Sequence, residues 1–113
     1  MGFDNTFELE YYLINNYDIK KIDLDEDEEN VFIQWLIVDK GFRRNGIGSE
    51  VIEIISEYSE KNNKDIYIEL PGTTNIEVLD DNELEQFYHK NNFTKLDKGI
   101  MYKQVMISNH EYL

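Results

Sequence analysis

Two hydrophobic rhythms run along the chain. In "TFELEYYLI" at 6–14, Phe7, Leu9, Tyr11 and Leu13 alternate with Glu8, Glu10 and Tyr12, the period of a half-buried strand, and Asn15-Asn16 then supplies turn chemistry. "YDIKKIDLD" at 17–25 reads as the second strand of a hairpin. The acidic cluster "DLDEDEEN" at 23–30 makes a polar turn before "VFIQWLIV" at 31–38, which is the most apolar strand and is therefore placed centrally in the sheet.

Beyond Gly48 the rhythm changes. Ile47, Val51, Ile54, Ile55 and Tyr58 recur at helical intervals, which predicts an amphipathic helix over roughly 46–62 that ends at Asn62-Asn63. "DIYIEL" at 65–70 is a short strand stopped by Pro71-Gly72, and "PGTTNIEVLDD" at 71–81 is a loop. Leu84, Phe87 and Tyr88 mark a second helix, with Asp80, Asp81 and Asn82 as candidate caps. "FTKLDKGIMYKQVMI" closes the pattern with a hairpin turning at Gly99, and "SNHEYL" at 108–113 reads as a frayed tail. The expected fold is a single α/β (α+β) domain over 1–113, with a mixed, mostly antiparallel central sheet and two main helices.

Composition narrows the function. A chain of 113 residues with 41% hydrophobic residues supports one core, and the absence of cysteine excludes disulfides and thiolate metal centres. His89 and His110 read as solvated side chains, and no spacing of ligands marks a metal site. Neither a leader pattern nor a bilayer-length apolar run occurs, so a cytoplasmic location is expected. The net charge of −13 repels nucleic-acid backbones and anionic membranes and favours a cationic partner.

Against that charge, "FRRNGIGSEVIEII" at 42–55 places two arginines and two glycines before the first helix. A helix N-terminus exposes unpaired N–H groups with partial positive charge, glycines permit close approach, and arginines add donors suited to phosphate oxygens. A diphosphate fits best. The stretch lacks the lysine of a Walker loop, and Val51 stands where a Rossmann fingerprint needs its third glycine. A purely structural reading leaves Gly46 as a turn residue and the arginines as a solvated pair.

Arg43-Arg44-Asn45-Gly46-Ile47-Gly48 resembles the Arg/Gln-x-x-Gly-x-Gly/Ala signature of the GNAT superfamily of N-acetyltransferases. "WLIVDKGFRRNGIGSEVIEII" follows that family's strand, loop, signature and helix, and "LEQFYHKNNF" at 84–93 is similar to its Phe-Tyr-x-x-x-Gly-Phe segment, with Asn92 in the glycine's place. The resemblance covers roughly Val31 to Lys103. It implies acetyl-CoA as co-substrate, no metal, and transfer of the acetyl group to a primary amine. Leu36, Ile37 and Val38 would meet the pantetheine arm, and Arg43, Arg44, Asn45, Gly46, Ile47, Gly48 and Ser49 would hold the pyrophosphate.

Tyr88 occupies the place of the tyrosine that protonates the departing thiolate, although it also completes an apolar helix face with Leu84. Where the family often has a basic glutamate, this chain carries Gln34, which can hold a relaying water but cannot accept a proton itself. Glu69 on the next strand is the alternative base, and an amine that arrives neutral needs none. The segment before Val31 is too short for the family's usual first strand and two helices. The expectation is a truncated GNAT fold, similar to short members, some phage-borne, that acetylate protein lysines. The acidic surface suits a lysine of a basic protein or a polyamine, and a homodimer is compatible with the pattern. The competing class is a domain of the same fold that binds CoA without turnover, or an acidic decoy occupying a partner's basic surface.

Overall fold

The first element departs from the expected strand. In the computed structural model, which describes residues 2–38, 46–69, 81–97 and 99–104, residues Thr6–Asn16 form helix α1. The Asn5 side chain accepts from the Glu8 backbone N–H at 2.9 Å, and the Glu8 carboxylate accepts from the Asp4 N–H at 2.9 Å. This reciprocal cap satisfies donors that a strand reading leaves unassigned. The segment carries two apolar patterns, and the helix buries Thr6, Leu9 and Leu13 while turning Phe7 and Tyr11 to solvent. Three helices are therefore described in place of the two main ones expected.

Strands β1 (Ile19–Glu26) and β2 (Asn30–Val38) form an antiparallel hairpin. Its acidic turn is built by Asp27, whose carboxylate accepts from the Glu29 and Asn30 N–H groups at 2.8 and 2.7 Å. Helix α2 (Ile47–Lys61) leads to β3 (Asp65–Glu69), parallel to β2. Helix α3 (Asp81–Lys90) leads to β4 (Thr94–Asp97) and β5 (Ile100–Lys103), a hairpin turning at Gly99 with φ 76°. The sheet order is β1-β2-β3-β5-β4, mixed and mostly antiparallel as expected. β2 lies inside the sheet, while β3 holds its middle position.

One sheet face carries the core. Leu24, Val31, Ile33, Ile66, Ile68 and Met101 meet Leu9 and Leu13 of α1, Val51, Ile52, Ile55 and Tyr58 of α2, and Tyr88 of α3 in a single cluster. At one end, Glu26 accepts from the Lys64 ammonium, the Tyr58 hydroxyl and the Thr6 N–H, joining β1 to α1, α2 and the turn before β3. The predicted loop from Pro71 to Asp80, the tail at 108–113 and His110 lie outside the described residues.

Candidate active site

The described ladder between the two parallel strands is shorter than β2. The β2–β3 ladder pairs Asn30–Ile33 with Asp65–Ile68, yet β2 runs on to Val38 beside β1. Against β1, Leu24 faces Ile33 but Asp23 faces Trp35, which leaves Gln34 as an extra residue on β2. Such a bulge twists and bends its strand, and here it falls where the ladder to β3 stops. Among the described residues no further rung joins β2 to β3, and an extended amide chain is the kind of partner that could continue such a ladder along Leu36 and Ile37. Gln34 and Glu69, the two candidate bases, each follow the last residue of the described β2–β3 ladder on their strand, and both are exposed.

The end of β2 lies near the start of α2, with Val38 beside Gly48. Gly46 caps this helix with φ 77° and contributes no side-chain hydrogen bond, while its carbonyl accepts from the Glu50 N–H at 3.0 Å. Among the described residues nothing lies within 4 Å of the position of a Cβ there, so this glycine adds no bulk beside the first-turn N–H groups. Gly48 has a different reason. A Cβ on it would sit 3.0 Å from Phe87 Cζ and 3.8 Å from Val38 Cγ2, so this glycine lets α3 and the end of β2 close on α2. Both glycines were expected to clear room for an anion; among the described residues Gly46 has free space at its Cβ position, whereas Gly48 meets Phe87 and Val38. Gly46→Ala should cost about 1 kcal/mol, from the left-handed backbone alone. Gly48→Val should cost about 2–3 kcal/mol through overpacking, and thermal melts of both variants check the ranking.

Tyr88 lies in the core at 2% exposure, its ring edge-on to Phe87 and Phe93 at 4.9 and 5.2 Å. Burial pushes its hydroxyl pKa well above the ordinary tyrosine value, so the group can give a proton but is not poised to take one. Asn92 adopts φ 74°, the left-handed turn expected of it, and the Phe93 N–H closes back on the Tyr88 carbonyl at 2.9 Å. Leu36 and Ile47 are half-buried and Ile37 is buried, which leaves their backbones as their route to a ligand. Arg43, Arg44 and Asn45 lie outside the described residues.

A family model described as acetyltransferase (GNAT) domain matches residues 11–95. The chain belongs to the GNAT acetyltransferase family. Its fold is similar to that of the anti-CRISPR protein AcrVA5, with a TM-score of 0.61 and 22% identity over 72% of this chain and 85% of that one. It is also similar to Ard1 from Thermoplasma volcanium, with a TM-score of 0.58 and 20% identity over 76% of this chain and 62% of Ard1. No curated protein matches the chain by sequence. At these identities the structural likenesses speak for the fold.

Two lysines that the sequence did not mark share a groove with Gly46 and Ser49. A groove of about 450 Å³ runs from Gly46 and Ser49 to Lys90, Asn91 and Lys103, with Glu50 and Glu53 on its α2 side. Asn91 donates to Ser49 Oγ at 3.2 Å and to the Phe87 carbonyl at 2.9 Å, which fixes the end of α3 against α2. Lys103 donates to Ser56 Oγ at 3.0 Å, and burial draws its pKa down. These residues come from the ends of α3 and β5, so no local motif could have grouped them. Among the described residues no three His, Asp or Glu side chains converge as a metal site, and no helix is long and apolar enough to cross a membrane.

Proposed function

We propose that this GNAT domain transfers an acetyl group from acetyl-CoA to a primary amine on a cationic acceptor, a lysine of a basic protein or a polyamine. The observations that support the reading are the end of the described β2–β3 ladder at the Gln34 bulge and the start of α2 at Gly46, which adds no side-chain cap. The main chain of Leu36, Ile37 and Val38 would pair with the pantetheine arm. Gly46, Ile47 and Ser49, together with Arg43, Arg44 and Asn45, would hold the pyrophosphate, and Gly48 shapes the turn that does so.

The reaction forms a C–N bond to the acceptor and breaks the thioester C–S bond. Tyr88 donates its hydroxyl proton to the leaving sulfur and recovers one from solvent. The proton lost by the amine passes to Glu69, or to water held by Gln34, the two residues just beyond the described β2–β3 ladder. The net charge of −13 draws a cationic acceptor toward the domain.

Acetyl-CoA at about a hundred times its dissociation constant should stabilise the protein by about 2.7 kcal/mol, a shift of several degrees in the melting temperature. With poly-L-lysine as acceptor, free CoA thiol should then appear. The absence of any thermal shift would overturn both turnover and CoA binding. A shift without thiol release would leave the non-catalytic CoA-binding alternative standing.

A further inference from the structure

Helix α1 leaves an apolar stripe in solvent. Phe7, Tyr11 and Ile14 are 78, 71 and 52% exposed, and their i, i+4, i+7 spacing aligns them on the side of the helix away from Leu9 and Leu13. Beside them a groove of about 570 Å³ is lined by Phe3, Phe7, Tyr11 and Tyr12, with Glu8 at its border. The fold does not require these side chains to be apolar, because α1 already packs through Leu9 and Leu13. Contiguous aromatic surface of this kind marks an interaction site.

Charge selects the occupant. The charged residues of α1 are Glu8 and Glu10, with no basic residue in its last turn, and exposed Asp4 and Asp18 flank the helix. The acidic hairpin at 25–29 adjoins its N-terminus through the bond from the Thr6 N–H to Glu26. A second copy of the chain would bring this acidic border against another chain of charge −13. A basic segment with apolar anchors gains both the hydrophobic contact and the opposite charge. The end of α1 also reaches the start of α2: Tyr17, just after α1, donates to Glu50 in the first turn of α2 at 3.1 Å.

We infer that the Phe7–Tyr11–Ile14 stripe of α1 is a docking surface for a basic amphipathic segment of a partner protein. Equating that partner with the acetyl acceptor rests on the transferase reading above, whereas the docking surface itself does not.

The test uses a labelled helical peptide made only of leucine and lysine, with fluorescence anisotropy as the readout. The wild-type protein should bind it saturably and sediment as a monomer. The double variant Phe7→Ser/Tyr11→Ser should bind it about tenfold more weakly or worse, because both rings are surface anchors. Both positions are exposed, so the variant should retain its melting temperature and its response to acetyl-CoA; that response separates failure of docking from failure of the transferase reading. Equal affinity in the two proteins, no binding by the wild type, or a wild-type dimer that the substitutions dissociate would each overturn the proposal.

Discussion

Tyr88→Phe should remain folded and bind acetyl-CoA normally, yet lose acetylation rate by about 10²–10⁴-fold, the range typical of a removed general acid. The substitution deletes one oxygen and keeps the ring that Phe87 and Phe93 grip edge-on, so packing is preserved. What disappears is the O–H that, on the proposed mechanism, would neutralise sulfur as the C–S bond breaks. Burial raises the Tyr88 pKa, so the donor stays protonated across the working range. Tyr88 therefore contributes no fall in rate as pH rises toward 10, and any alkaline limb belongs to another group. Pre-steady-state release of CoA thiol, measured beside a melting curve and an acetyl-CoA thermal shift, separates the roles. A Phe variant with full rate would make Tyr88 a core residue only.

That choice was not legible in the sequence, because the spacing of Leu84, Phe87 and Tyr88 describes an apolar helix face and an active-site helix equally well. Other parts were legible for identifiable reasons. β2 is a nearly continuous apolar run, α2 and β3 each carry a rhythm of their own, and Asn92, in the family glycine's place, takes the left-handed turn with φ 74°. Residues 6–14 carry two rhythms at once, and alternation alone favours the strand. The Asn5–Glu8 and Asp4–Glu8 hydrogen bonds decide for the helix, because they satisfy its first turn locally.

The site shows the same division between local and long-range information. The helix start at Gly46 could be read from neighbouring residues. The role of Gly48 depends on Phe87, far along the chain, and the Gln34 bulge depends on which residue of β1 stands opposite. Pairing across the sheet decides where β2 leaves β3, and a single strand's sequence does not contain that register.

Glu26→Ala should destabilise the fold by about 2–3 kcal/mol, which for a domain of this size lowers the melting temperature by about 10 °C or more. The Glu26 carboxylate accepts from Lys64 Nζ at 2.7 Å, from the Tyr58 hydroxyl at 2.8 Å and from the Thr6 N–H at 3.1 Å. The Lys64 and Glu26 side chains are only 16 and 19% exposed, so the alanine variant leaves three donors poorly compensated. Burial alone would raise the Glu26 pKa, but the hydrogen bonds from Lys64, Tyr58 and Thr6 outweigh it and hold the pKa below its ordinary value. Its contribution is therefore complete above the unfolded glutamate pKa and is lost as pH falls through the lower folded value. For Tyr58 the sign is opposite: burial first, then Glu26, raise its pKa, so its contribution is complete below the ordinary tyrosine pKa and is lost as pH rises beyond it. Wild-type stability should thus hold level between about pH 5 and 9 as far as this cluster sets it, falling at both ends. In Glu26→Ala the gap to the wild type should narrow on acidification, which urea unfolding across pH measures. A gap unchanged down to pH 2 would mean that Glu26 acts through its carbon chain and shape, not through its charge.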